Sequence, residues 1–161
     1  MSYTNSDGLY VLTFKDIGEV QDKGTTIDSI RRALVIDLAD FTTIGATFGA
    51  SDIDPNDPII PANSVITNAY LKMTTAATSG GAATLTIGTY NAAGTAVDAD
   101  GIDAAVALTV IDAVGDVVQC NGAQVGGLVT TGTVDTYVGL NYGTAAYTAG
   151  AGKLVIEYIT V

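Results

Sequence analysis

The sequence predicts an all-β protein, a β-sandwich or jelly roll of about eight antiparallel strands. Three observations carry this prediction. Apolar and polar residues alternate over several stretches, turn residues separate short apolar runs, and small or β-branched side chains dominate the apolar content. The chain has 19 glycines, 3 prolines and no tryptophan, a composition that suits short strands and tight turns better than long helices.

The clearest alternation lies between Pro61 and Tyr90. Because side chains of a strand point alternately to its two faces, each run can bury one face and expose the other. A break at Thr78–Gly81 contains Ser-Gly-Gly, and glycine readily adopts the backbone of a tight reversal. We therefore expect a β-hairpin. Its core parity comprises Val65, Thr67, Ala69, Leu71 and Met73 in one arm and Ala83, Leu85 and Ile87 in the other.

Before the hairpin, Leu9–Phe14 is an apolar run that predicts a first strand or an arm. Residues 15–29 predict a loop, or an extended crossing with a weak strand near Thr25–Ile30. Arg31–Leu38 predicts a strand, with Leu34, Ile36 and Leu38 facing the core and Val35 and Asp37 facing away. Phe41–Gly49 could form a short strand. Three prolines in Ala50–Asn63 predict a long loop, because proline ends helices and cannot donate to a sheet.

After the hairpin, Asn91–Asp103 predicts an acidic loop, and Ile102–Ile111 fits a helix and a strand equally well. Further short strands are predicted at Val117–Cys120, Val125–Thr131 and Val134–Tyr142, the last with Val134, Val138 and Leu140 toward the core. Ala149–Gly152 predicts a turn, and Lys153–Val161 a buried closing strand. We expect an N-terminal arm or first strand at 1–14 and a single β-sandwich domain at 15–161, because 161 residues suffice for one sizeable core.

The charge restricts the partners. A net charge of −11, from 6 basic and 17 acidic residues, disfavours nucleic acid and anionic membrane surfaces, since too few cations are present to displace phosphate counterions. A protein partner with a basic patch remains open. The N-terminus lacks the pattern of a secretory signal, and there is no apolar run of about twenty residues. We expect synthesis in a cytoplasm.

Residues suited to catalysis are scarce. The chain contains no histidine, the commonest general base, and its single cysteine, Cys120, has no imidazole to activate it. We expect no enzymatic activity and no cofactor. Two acidic stretches have spacing similar to calcium ligands, at Asp52, Asp54, Asn56 and Asp57, and at Asp98, Asp100 and Asp103. Carboxylates that keep loops solvated are the favoured interpretation, because neither stretch has the bidentate glutamate of a calcium loop.

Four segments resemble a known family. They are PANSVI at 61–66, GGAATLTIGTY at 80–90, the acidic Gly/Ala stretch that follows, and TAGAGKLVIEYI at 148–159. Together they are similar to strand and turn signatures of the head decoration, or cement, proteins of tailed bacteriophages. The resemblance spans roughly residues 31–161 and includes no catalytic residue.

The resemblance implies a jelly-roll-like β-sandwich on the exterior of a virion capsid. It also implies a homotrimer that bridges and stabilises neighbouring major capsid protein subunits. Aromatic, basic and exposed apolar positions are then the candidates for partner contacts. These candidates are Tyr3, Tyr10, Phe14, Arg31, Arg32, Val35, Tyr70 and Ile159.

A second hypothesis uses the same fold in a phage tail, fibre or receptor-binding module that binds host glycans. The lack of tryptophan and the scattered tyrosines disfavour it. A hydrolase is the third hypothesis, and the missing histidine and the lack of a distinct acid pair disfavour it as well.

Overall fold

A computed structural model describes residues 31–161 except Pro55 and Leu128, together with the backbone of residues 3–4 and 10–11. The chain forms two compact units, Met1–Ile30 and Arg31–Val161. In the first unit, β1 (Tyr3–Thr4) pairs antiparallel with β2 (Tyr10–Val11). The predicted strand or arm at 9–14 and the loop at 15–29 otherwise lie outside the described residues.

The second unit contains two four-stranded antiparallel sheets. Sheet I has the order β3 (Arg32–Leu38), β10 (Tyr147–Thr160), β5 (Ser64–Ser79) and β8 (Val117–Gln119). Sheet II has the order β4 (Ile59–Ile60), β9 (Thr136–Gly143), β6 (Thr84–Tyr90) and β7 (Ala96–Ala107). Three short 3-10 helices lie at Phe41–Thr43, Ala50–Asp52 and Leu108–Val110. No helix in this described part is long and apolar enough to cross a membrane.

The strand pairing is nested. In the second unit the first strand pairs with the last (β3 with β10), the second with the seventh (β4 with β9), the third with the sixth (β5 with β8) and the fourth with the fifth (β6 with β7). An eight-stranded chain that folds back on itself in this order forms the two Greek keys of a jelly roll. The all-β, eight-stranded sandwich predicted from the sequence is confirmed.

The core fills the space between the sheets. Leu154 and Ile156 of β10 and Leu71 of β5 point inward from sheet I, and Leu85 and Ile87 of β6 are likewise fully buried. The strand at Arg32–Leu38 also has the predicted polarity. Its Leu34, Ile36 and Leu38 pack against the core, and Val35 stays 57% exposed.

The predicted hairpin between β5 and β6 is wrong, although both strands exist. β5 pairs with β10 and β8 in sheet I, and β6 pairs with β7 and β9 in sheet II. The segment after Ser79 therefore crosses from one sheet to the other. The alternation of apolar and polar residues indicates which side chains of β5 and β6 point inward, and these side chains meet across the core. The alternation does not indicate which strands are hydrogen-bonded to β5 or to β6.

The predicted parity of β5 is wrong at its start, because the strand contains a β-bulge. Asn68 pairs with Glu157, but the next pair along is Ile66 with Tyr158, so Thr67 is an extra residue on β5. Because a bulge shifts side chains to the opposite face, Ile66 is fully buried and Val65 is only half-buried. The expected parity holds at Ala69, Leu71 and Met73, which are buried.

The acidic stretch predicted as a loop is mostly strand. β7 begins at Ala96 and runs through Asp98 and Asp100 to Ala107, where the 3-10 helix Leu108–Val110 follows. For Ile102–Ile111, where the sequence fits a helix and a strand equally well, the structure has the end of a strand followed by a turn of 3-10 helix. β7 lies at the edge of sheet II. Charged side chains are common on edge strands because they discourage pairing with other chains.

Other segments also depart from expectation. Phe41–Gly49 begins with a 3-10 helix instead of a strand, because the Asp40 carboxylate accepts a hydrogen bond from the Thr42 amide at 2.8 Å and Phe41 is buried. The loop Ala50–Asn63 contains the short strand β4. Val125–Thr131 forms only isolated bridges at Val125 and Thr130, and Val134 is 47% exposed instead of facing the core.

The predicted turn at Ala149–Gly152 is wrong, since β10 continues through it from Tyr147. Gly150 has a φ of 141° and lies against the ring of Phe41, where an added Cβ would stand 2.9 Å from the Phe41 Cδ2 atom. The glycines here let β10 bulge past a buried ring instead of ending the strand.

We predict that Ile156→Ala lowers the free energy of unfolding by about 2–5 kcal/mol, because it removes a fully buried side chain between the sheets. Val35→Ala, on the exposed face of the same sheet, should cost under about 1 kcal/mol. Urea denaturation monitored by circular dichroism measures both. Similar costs for the two variants would contradict the assignment of inner and outer faces.

Gly150→Ala should cost about 2 kcal/mol or more, because alanine is strained at this φ and its Cβ meets Phe41. Gly80→Ala serves as the matched control, since nothing lies within 4 Å of the site of its Cβ. Thermal melts should leave the control within about 0.5 kcal/mol of the parent chain. A neutral Gly150→Ala would contradict this packing of β10 on Phe41.

Candidate docking face

The outer face of sheet I carries two rows of register partners. The first row joins Val35, Val155, Tyr70 and Gln119 across the four strands. The second row, two residues along, consists of Asp37, Lys153, Lys72 and Val117. Directly paired residues share a face, and the inward neighbours Leu154 and Ile156 are buried, so both rows face away from the core.

Apolar side chains run across this face. Val155 and Tyr70 on the two central strands are half-buried, and Val35 and Val117 on the edge strands β3 and β8 are 57% and 60% exposed. Ile159 pairs with Val65 farther along β10 and extends the same surface. Aliphatic and tyrosine side chains on a flat sheet face provide contact area for a protein partner at low cost in side-chain entropy.

Charged residues lie beside these apolar side chains, and Lys72 and Lys153 are paired on the two central strands. The Arg31 guanidinium lies 3.3 Å from the Glu157 carboxylate, and the Lys153 ammonium lies 3.4 Å from that of Asp37. Both pairs are exposed enough to contribute little to stability. Protein–protein interfaces likewise combine apolar contact area with polar groups.

The distribution of charge in the second unit is strongly uneven. All four basic residues of 31–161 lie in sheet I or next to it, at Arg31, Arg32, Lys72 and Lys153. Nine of the twelve acidic residues in this range lie elsewhere, since Asp37 and Glu157 are in sheet I and Asp116 adjoins β8. The outer face of sheet I is thus the one region of this unit in which positive charge outnumbers negative charge.

The structure brings together several of the residues predicted for partner contacts. Val35, Tyr70 and Ile159 share the outer face of sheet I, and Arg31 lies at its rim. Arg32 is exposed but pairs with Tyr158, whose side chain is buried, so it belongs to the opposite parity at the sheet edge. Phe14 and the side chains of Tyr3 and Tyr10 lie outside the described residues.

Sequence reasoning missed Val155, Val117 and the two lysines of this face. Val155 shares its parity with Ile159, which the sequence did indicate, so the alternation of Lys153–Val161 could have revealed it. Lys72 and Lys153 are far apart in the sequence, and only the antiparallel register of β5 and β10 places them side by side.

The carboxylates of the first acidic stretch accept hydrogen bonds from their own turns. Asp52 accepts from the Gly49 amide, and Asp54 accepts from the Asn56 amide and side chain, each at 2.8 Å. Such short-range bonds stabilise turns without a metal ion. Within the described part of the chain, no group of three or more Asp, Glu, Cys or His residues is placed to hold a metal ion.

The second stretch is spread along β7. The pKa of Asp98 is raised, chiefly by partial burial and secondly by a hydrogen bond with Asp100. Asp103 is only 6% exposed, and its carboxylate accepts a hydrogen bond from the Ala105 amide at 3.3 Å. The three carboxylates are thus spread along an extended strand instead of being gathered by a turn.

Cys120 is buried in the core. Burial, and secondly the charge of Asp103, raises the pKa of its thiol from 9.0 to about 12. The thiol therefore stays protonated at neutral pH, and a protonated thiol is a poor nucleophile. Cys120 packs as a small apolar side chain.

Comparisons with known proteins support the fold. No protein-family model matches the sequence, and no curated protein sequence does either. Two chains of solved structures share the fold. One, from the capsid of Ralstonia phage GP4, has 19% sequence identity and a TM-score of 0.54, over 90% of this chain and 92% of that one.

The second chain comes from the capsid asymmetric unit of cyanophage Pam1. It has 15% identity and a TM-score of 0.55, over 92% of this chain and 98% of that one. Both matches run almost end to end, so each relative is a chain of similar length with the same overall fold. At such low identity the likeness shows the fold alone.

The buried thiol makes the stability depend on pH. Because the pKa of Cys120 is higher in the folded chain, its contribution is complete below pH 9 and is lost as the pH rises from 9 toward 12. We predict that denaturant titrations in this range show a steeper fall for the parent chain than for Cys120→Ala. The difference is at most about 1.4 kcal/mol per pH unit. Parallel pH profiles would contradict the burial of this thiol.

Proposed function

We propose that this chain is a non-enzymatic structural protein of a bacteriophage virion, and that it decorates the capsid. The observation that carries this proposal is the nearly end-to-end match to similar-length chains from two phage capsids. A shared fold does not determine function, so the proposal also draws on the outer face of sheet I and on the sequence resemblance to decoration proteins.

In this proposal the outer face of sheet I binds the exterior of the capsid. The apolar side chains of Val35, Val155 and Tyr70 supply the contact area, and the neighbouring charges select the orientation. A flat, rigid sheet suits attachment to a shell, since little conformational entropy is lost on binding. Many copies on one shell can add weak individual contacts into firm attachment.

The finer features of the proposal follow the resemblance. The chain acts as a homotrimer and bridges neighbouring subunits of the major capsid protein, which stabilises the shell. It needs no cofactor, nucleic acid or membrane for this role. The alternative of a glycan-binding tail or fibre module remains a prediction from the sequence, and no contact described above favours it.

A docking assay tests the proposal. Shells assembled from the major capsid protein alone are mixed with this chain and sedimented, and the bound fraction is quantified. We expect Val35→Glu to weaken binding about tenfold or more, because it places a carboxylate next to Val155 within the apolar part of the contact surface. Val35 is 57% exposed, so the fold should be retained, as a melting curve can verify.

Val114→Glu is the matched control, because Val114 is 72% exposed and lies outside sheet I. The control should bind like the parent chain. A failure of the parent chain to bind shells would contradict the decoration role. Normal binding by Val35→Glu would instead show that another surface makes the contact.

A further inference from the structure

An apolar cleft of about 470 Å³ opens beside the end of β3. Its floor consists of half-buried side chains at Ile36, Leu38, Ile44, Phe48, Val138 and Leu140. We call it the β3–β9 cleft, since these residues come from β3, from the 3-10 segment after it and from β9. Its volume falls within the range of about 300–1,000 Å³ that is typical of ligand-binding clefts.

The cleft exists because sheet II ends early on this side. β4 is two residues long and pairs with β9 only at Tyr137 and Thr136. Beyond that point, the next backbone contact to this edge is the hydrogen bond from the Tyr142 amide to the Gly45 carbonyl, at 2.9 Å. No strand of the described chain pairs with this edge between Val138 and Asn141. An unpaired strand edge of this kind can accept an added strand.

Carboxylates line the opening of the cleft. Asp37, Asp40, Asp52 and Asp57 all contribute to its wall, and no lysine or arginine does. Hydrogen bonds from Thr42 hold the pKa of Asp40 below its usual range, so this group is ionised at neutral pH. The combination of an apolar floor and a negative rim defines the chemistry of an occupant.

We propose that the β3–β9 cleft binds an extended segment of a partner protein in which an apolar anchor is flanked by lysine or arginine. The anchor covers Leu38 and Leu140, and the flanking cations approach Asp40 and Asp57, since the Asp37 carboxylate already lies 3.4 Å from the Lys153 ammonium. The segment lies along the free edge of β9. This inference stands on the geometry of the cleft and does not depend on the capsid role.

Two other occupants fit less well. Residues 1–30 of the same chain contain two lysines and five acidic residues, so their charge does not complement a negative rim. In a second copy, the basic residues of 31–161 belong to or adjoin sheet I, where they cannot enter a cleft as an extended segment. Charge complementarity therefore points to a different protein.

Binding of synthetic peptides to the full chain tests the inference. The probe is a short fluorescent peptide with a Leu-Ile-Leu centre between Lys-Arg pairs, and its binding is followed by fluorescence anisotropy at low salt. Two comparison peptides replace the basic residues with glutamate or the apolar centre with Gly-Ser-Gly. We expect saturable binding of the first peptide and at least about tenfold weaker binding of each comparison peptide.

Substitutions in the chain test whether the peptide binds in the β3–β9 cleft. Ala39→Trp, from an exposed position in the cleft wall, should fill the cleft and abolish binding. The pair Asp40→Asn and Asp57→Asn should weaken it about fivefold or more, and asparagine can still accept the turn hydrogen bonds from the Thr42 and Asp54 amides. The matched control pair, Asp100→Asn and Asp112→Asn, removes the same charge elsewhere and should bind like the parent chain.

Amide chemical shifts of the isotope-labelled chain provide a second measurement. Shifts confined to residues 36–48 and 138–142 support the inference, whereas shifts spread over the acidic surface overturn it. No saturable binding by the parent chain also overturns it. So does an equal loss in the two pairs of aspartate variants, because only general attraction to a negative protein would then remain.

Discussion

The central position of β10 in sheet I is the constraint on which the rest of the second unit depends. This last strand pairs with β3 at seven positions and with β5 at twelve. Its inward residues Leu154 and Ile156 fill the core, and its outward residue Val155 lies at the centre of the candidate docking face. One strand thus determines both the packing of the sandwich and the shape of the proposed contact surface.

This arrangement has a cost in folding. β3 and β10 lie more than a hundred residues apart in the sequence, so sheet I cannot be completed until nearly the whole second unit has been brought together. Folds dominated by such long-range pairs fold slowly, because the loop-closure entropy is lost before the contacts form. Once sheet I has formed, β3 and β5 hold β10 from both sides, which favours a rigid outer face.

Much of the architecture could be predicted from local patterns, because alternation reports directly which side chains are buried. The strand at Arg32–Leu38 and the inward residues of β6 are examples. Pairing could not be predicted in the same way. The Ser-Gly-Gly break before β6 is compatible with a hairpin and with a crossing between sheets, and only the long-range partners of β5 decide between them.

For the candidate sites too, the sequence predicts which residues share a face, but it does not predict which strands lie side by side. Val35, Tyr70 and Ile159 could be predicted from parity, but their meeting with Val155 on one surface depends on register. The bulge at Thr67 changed the face of Val65 without any clear sequence signal. The β3–β9 cleft was missed because its wall is assembled from segments that are distant in the sequence, and because it arises from the shortness of β4.

The uneven charge of the second unit fits a role in ordered assembly. Ten carboxylates outside sheet I make most of this unit negative, which opposes non-specific association through those surfaces. The outer face of sheet I is the exception. A negatively charged partner therefore meets the least electrostatic repulsion at this face, which favours one orientation on an underlying surface.

The number of copies of this chain per virion tests the central claim most directly. Virions are purified from cells that produce the chain, and quantitative mass spectrometry compares it with the major capsid protein. The decoration role predicts a copy number comparable to that of the capsid subunit. A few copies per particle would place the chain in a tail or fibre, and complete absence would contradict a role in the virion.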